Sequence, residues 1–232
     1  MWLAPEQPDP TYLSDDEAVD ITPTETGCLV VQPVDQRSGL QKTLEITLDQ
    51  KQARVEILHG ITNHADDPIT GSFWAITQFK LGGHALMPLN NTLTDNNPTL
   101  PNRSIILWPY TDFNNPNITW GNELVAIRAQ TDEPLKIGTA GTRGWLAYWY
   151  QGTLFIKYSA YVPNAEYWGY GSTLECYCNH QFLELETLAP ITTLQPGETG
   201  YHTETWHIFP DVEWDKNIPN TVNFIESHLQ TV

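Results

Sequence analysis

The sequence predicts an all-β chain, an antiparallel sandwich or barrel with one short helix at its C-terminal end. Three observations carry this. About a dozen short runs are rich in β-branched and aromatic residues, and many alternate apolar with polar positions. The connections between them are dense in Gly, Pro, Asn and Asp, the residues that set turns. A helical stripe occurs only in the last segment.

In chain order, residues 1–27 are acidic and contain prolines. They read as a long surface loop, or as a strand remnant followed by a loop. Cys28–Val34 reads as a strand. Leu40–Leu48 alternates, with Leu40, Lys42, Leu44, Ile46 and Leu48 on one face. Ala53–Ile61 does the same with Val55, Ile57, His59 and Ile61. Asn63–Pro68 is a turn, and Ile69–Leu81 is a long apolar strand carrying Phe73, Trp74 and Phe79. Asn90–Asn102, rich in Asn, Thr and Pro, is a loop. Arg103–Trp108, Glu123–Gln130, Gly144–Tyr150 and Leu154–Tyr161 continue the strands. Thr173–Cys178 and Phe182–Leu188 form a hairpin around Asn179-His180-Gln181. Pro196-Gly197-Glu198 is a turn, and His202–Phe209 is the closing strand. Asn220–Gln230 is the helix, with Val222, Ile225 and Leu229 on one stripe and Thr221 as its cap.

Formal net charge is −17, from 28 acidic against 11 basic residues. Nucleic-acid binding is driven by Lys and Arg on phosphates, so no nucleic-acid partner is expected. An anionic membrane surface is disfavoured for the same reason, and a neutral partner such as a sugar fits. No apolar run is long enough to span a bilayer. The N-terminus lacks the basic flank and apolar core of a secretory leader, so the expected location is cytoplasmic. Neither a Gly-rich phosphate loop nor a Gly-x-Ser-x-Gly elbow occurs, which argues against a nucleotide enzyme or a serine hydrolase. Three cysteines, Cys28, Cys176 and Cys178, do not make a disulfide framework. Cys176, Cys178 and His180 on one extended strand would span about 13 Å, too far to converge on one ion. Neither a metal nor a cofactor is expected.

The chemistry concentrates in the hairpin. Leu183, Leu185 and Thr187 make a core face, so Glu184 and Glu186 share the other, about 6.6 Å apart, facing a groove. Neighbouring carboxylates raise each other's proton affinity, which is tolerated on a solvated face or used in a site. Hairpin register decides whether a third acid joins them. A two-residue loop at Asn179-His180 pairs Glu175 with Glu184 and gathers three carboxylates. A three-residue loop sends Glu175 away. The gathered arrangement requires a cation, with Lys157 or Lys136 as the expected partner. Lys157 lies among Phe155, Ile156 and Tyr158, where a cation pairs with a buried acid, and Glu175, Glu184 and Glu186 are the candidates. Nine tryptophans invite stacking on sugar C–H faces, and Trp74, Trp108, Trp145 and Trp149 are candidates for a groove floor.

Several stretches carry a resemblance. FLELETLAP, LQPGET and HTETW resemble the closing strands of an uncharacterised bacterial family with the galactose-mutarotase-like, or aldose 1-epimerase-like, fold. NRSIILWPYTDFNNPNITWGN, KIGTAGTRGWLAYW, TLFIKYSAY and WLAPEQP are similar to other signatures of that family, so the likeness covers nearly the whole chain. It implies one domain over residues 1–232, with sheets over 28–209 arranged as an antiparallel supersandwich and a tail with a short helix over 210–232. It also implies a sugar partner. In mutarotases a carboxylate takes the anomeric proton while a histidine protonates the ring oxygen, and the ring opens and recloses. Glu186, in Leu185-Glu186-Thr187, matches the position of that base. His64, in Thr62-Asn63-His64, matches the acid in three letters, but the following Ala65-Asp66-Asp67 departs from the aromatic pattern. Arg103, Lys136, Lys157, Glu175, Glu184 and Trp74 are the expected substrate-binding residues. The resemblance makes the protein an aldose epimerase, a non-catalytic sugar-binding module, or an inactive remnant. WLAPEQP follows several strands in that family, so the chain reads as shortened at its start. The expected consequence is an exposed sheet edge and apolar side chains around Trp2, Leu3 and the first strands that favour self-association.

Overall fold

The computed structural model describes residues 1–7, 11–12, 15–91, 101–214 and 218–229. Much of the expected Asn90–Asn102 loop and the last residue of the expected helix, Gln230, lie outside them.

Two antiparallel sheets face each other. The smaller has the order β1 (Trp2–Ala4), β6 (Ile69–Phe79), β15 (Leu183–Leu188), β14 (Leu174–Cys178), β11 (Leu135–Thr139) and β8 (Ile105–Leu107). β16 (Thr192–Leu194) also pairs with β6. The larger sheet has ten strands: β2 (Asp20–Pro23), β3 (Gly27–Val31), β4 (Leu40–Leu48), β5 (Arg54–Asn63), β17 (Thr199–Phe209), β13 (Thr153–Tyr158), β12 (Trp145–Tyr150), β7 (His84–Pro88), β10 (Leu124–Arg128) and β9 (Ile118–Trp120). This is the expected all-β sandwich.

The core between the sheets is built from one side of every second residue. Leu135, Ile137, Cys176, Cys178, Leu183 and Leu185 of the smaller sheet pack against Ala85, Met87, Val125, Ile127, Leu146 and Tyr148 of the larger. Cys176 and Cys178 thus act as small apolar side chains, and burial pushes the Cys178 thiol up to about 12. The far face of the larger sheet is covered by α1 (Ile218–Leu229), whose Val222 and Ile225 are buried against Leu86, Trp145 and Ile156. This helix begins before Thr221, so Thr221 is an interior residue rather than the cap. Pro219 falls in the first turn, where its missing N–H costs nothing.

The strands that went unforeseen, β2, β7, β9, β11 and β16, are three to five residues long. β7 is also buried on both faces, which erases the alternation that marks a strand, while β11 is short and carries Gly138. At the N-terminus, Trp2, Leu3 and Ala4 pair with Trp74, Phe73 and Ser72. Trp2 and Leu3 are half-buried, and among the early strands Ile21 and Leu48 of the larger sheet are exposed.

Candidate functional site

The outer face of the smaller sheet carries the expected carboxylates. β14 and β15 pair with Glu175 opposite Glu186, Tyr177 opposite Glu184 and Cys178 opposite Leu183. This is neither of the two registers considered from sequence. Asn179 explains it: its Oδ1 accepts from the backbone N–H groups of Gln181 and Phe182, so His180 and Gln181 form the tip. The shift keeps every side chain on its face, so Glu175, Glu184 and Glu186 still gather.

Glu175 beside Glu186 is a buried like-charge pair, 3% and 0% exposed, and such pairs are costly. Lys136 resolves it. Its Nζ lies 2.8 Å from Glu175 Oε2 and 2.8 Å from Glu186 Oε2. The ammonium sits between two indole rings, 4.4 Å from the Trp74 centroid and 4.7 Å from that of Trp108, a cation–π sandwich. Trp74 also donates its indole N–H to Glu186 Oε2 at 2.5 Å. Gly138, next to Glu175 in the sheet, has to be a glycine. A Cβ there would stand 2.5 Å from Ser172 Oγ and 3.3 Å from the Trp108 ring.

Glu186 is therefore walled in by Trp74, Lys136 and Glu175 rather than open on a groove. Burial, with the charge of Glu175 added, raises its carboxyl to about 8 even though Lys136 opposes the shift. Glu184 is half-buried nearby, raised by burial, and accepts from Gln78 at 2.8 Å.

The remaining expected residues lie elsewhere. Arg103 is exposed and donates to the Asn90 carbonyl. His64 is exposed at the end of β5 and bonds Gln41 at 3.1 Å. The structure therefore does not bring it to Glu186. Lys157 points to the opposite side of β15, and its acid is Glu204, at 2.8 Å, in place of the three acids foreseen.

Glu204 anchors a second polar cluster, between the sheets, that sequence reasoning missed. It accepts from Lys157 and Thr187 on Oε1, and from His59 (3.3 Å) and Trp206 (3.2 Å) on Oε2. Thr187 spends its proton on Glu204, so the 2.8 Å bond from His202 Nε2 to Thr187 must be donated by the histidine. Burial alone would raise Glu204, but Lys157 and the two histidines hold it far below the usual carboxylate range. A signal was present in the sequence. His59 shares its face with Val55, Ile57 and Ile61, a polar residue in an apolar register.

Solved structures with the same architecture are distant in sequence. The Slr1438 protein of Synechocystis sp. PCC 6803 matches with a TM-score of 0.50 and 9% identity, over 83% of this chain and 66% of that one. A galactose mutarotase-like protein of Lactobacillus casei matches with 0.51 and 10% identity, over 82% and 73%. A galactose mutarotase related enzyme of Lactobacillus acidophilus matches with 0.53 and 10% identity, over 87% and 74%. The chain has the galactose-mutarotase-like fold. Neither a protein-family model nor a curated protein sequence matches it. Among the described residues, no helix is long and apolar enough to cross a membrane.

The two clusters of this galactose-mutarotase-like domain predict a stability profile against pH. Burial lowers the His202 imidazole from 6.5 to about 4, so between these values the unfolded chain holds a proton that the folded one lacks. That contribution is lost as pH falls through the window. Glu186 is raised from 4.5 to about 8, so its contribution is lost as pH rises through that range. Between 4.5 and 6.5 the two slopes oppose. The expected result is a plateau there, a decline above pH 6.5, and a decline below 4.5, where Glu204 must also be protonated to unfold. Urea melts from pH 4 to 9 measure this, and Glu186→Gln should flatten the alkaline limb. An unchanged alkaline limb in that variant would refute the assignment.

Proposed function

We propose that the protein binds a free sugar on the carboxylate face of the smaller sheet, and that it acts as a binding module rather than as an epimerase. The observation that carries the second half is the set of partners around Glu186. Anomer exchange needs a base at the anomeric hydroxyl and an acid at the ring oxygen. Glu186 is bonded to Lys136 and Trp74, while His64, the expected acid, is bonded to Gln41 on the other sheet. Support for a sugar comes from the company the carboxylates keep. Trp74, Trp108, Tyr110 and Tyr177 surround them, and aromatic rings stack on C–H faces while carboxylates accept hydroxyl protons. The galactose mutarotase-like and galactose mutarotase related proteins that share the fold point the same way.

One observation favours catalysis as a second reading. A carboxyl raised to about 8 lies in the range useful to a general acid or base near neutral pH. Polarimetry with freshly dissolved glucose and galactose, beside calorimetric titration, separates the readings. Saturable binding with anomer exchange at the buffer rate is the expected result. Acceleration that disappears in Glu186→Gln would establish the epimerase instead, and absence of binding across a sugar panel would remove both.

A further inference from the structure

The carboxylate face has an imbalance of charge that bears on which sugar it takes. Glu175, Glu184 and Glu186 share it. The cation on this face, Lys136, is already committed, held by two carboxylates and two indole rings and almost without exposed surface. Arg103 and Lys157 bond elsewhere. Among the described residues, a phosphate or carboxylate on the ligand would therefore meet acids with the face's ammonium already committed.

Two buried polar atoms indicate that the face is built for a ligand. Glu186 has no exposed surface, yet its Oε1 has no hydrogen-bond partner. The Trp168 indole N–H is also buried and unpaired. Trp168 packs in the same cluster as Trp74, whose own N–H bonds Glu186. One atom is an acceptor and the other a donor, and sugar hydroxyls supply both complements. The cover over this region is the turn Trp168–Gly171. Gly169 and Tyr170 have φ of 62° and 59°, and the Tyr170 side chain is 95% exposed. A Cβ on Gly169 would stand 3.5 Å from Glu175 Oε1, so the turn lies directly against the acids. A non-glycine residue held at positive φ is strained, and strain of this kind collects at ligand clamps.

We propose that this face selects an amino sugar, its ammonium received by Glu184 and its hydroxyls by Glu186 and Trp168. The proposal rests on the sugar-binding reading above. Calorimetric titration at pH 7 and low salt tests it, with glucosamine, galactosamine and mannosamine against their N-acetyl forms, the parent hexoses and the 6-phosphates. The amines should bind on the order of tenfold more tightly than the N-acetyl forms, with the phosphates weakest, as expected for one ion pair near a protein surface. Glu184→Gln, at a half-buried position, should erase the preference for the amine over the N-acetyl form, as removal of one pairing charge predicts. Hexoses or phosphates binding as tightly as the amines would overturn the amino-sugar selection while leaving sugar binding intact. So would an unchanged preference in Glu184→Gln. Failure of every sugar to bind would overturn the underlying reading, and this proposal with it.

Discussion

Replacing Lys157 with Met is expected to destabilise the fold by about 3–5 kcal/mol, the range for breaking a buried ion pair from one side. Lys157 is 0% exposed and Glu204 is 1% exposed. The ammonium also donates to the Ala75 and Leu185 carbonyls at 2.8 and 3.1 Å, and to Thr77 Oγ1 at 3.1 Å. Those acceptors belong to β6 and β15 of the smaller sheet, while Lys157 belongs to β13 of the larger. One side chain thus ties the two layers through their interior. Methionine fills the same volume but leaves Glu204 buried without its ammonium partner. For a chain of this size the melting temperature should fall by on the order of 10 °C. Removing both charges in Lys157→Met with Glu204→Leu should recover much of the loss, because no uncompensated charge remains. A single variant that loses less than about 1 kcal/mol would mean that Glu204 is held by its other donors and that the tie is dispensable.

Lys136→Met should have a comparable effect with a different pH signature. Without the ammonium, Glu175 and Glu186 face each other across adjacent strands in a buried site. At pH 8 both cannot remain charged there, so a loss of about 3–5 kcal/mol is expected. Toward pH 5 a proton shared within the pair relieves the repulsion, and the penalty should shrink. Glu186→Gln leaves Lys136 and Glu175 paired one to one and should be near neutral in stability at pH 5 and more stable than the parent at pH 8, where no raised carboxyl has to ionise. Urea melts of both variants at pH 5 and pH 8 check this. A Lys136→Met penalty that does not change with pH would show that the lost packing between Trp74 and Trp108, rather than the charge, dominates.

The fold was legible in the sequence for the longer strands with one side in solvent. Leu40–Leu48 was bounded correctly because its polar residues alternate against Leu44 and Ile46. β7 was hidden because burial on both faces replaces alternation with a short apolar run, which periodicity cannot assign. The site was half legible. Glu184 and Glu186 announced themselves as paired acids on a strand, and Glu175 depended on register alone. The choice of Lys136 over Lys157 as their partner depended on which face each lysine takes in a sheet order that local sequence does not encode. Glu204 escaped because HTETW reads as an ordinary solvent-facing strand until β13 and β5 are placed on either side of it.

β15 is lined by charge on both sides. Glu186 meets Lys136 on the outside, while Thr187 and the Leu185 carbonyl meet the Glu204–Lys157 group on the inside. A slip of one residue against β14 or β6 would turn Glu186 inward among Cys176, Ile137 and Met87, and turn Leu185 out beside Lys136. Both ion groups would fail in the same event. The two clusters therefore act as a checksum on strand alignment: a misaligned hairpin would be rejected during folding by two independent buried charges, in a protein whose apolar pattern alone would tolerate several pairings.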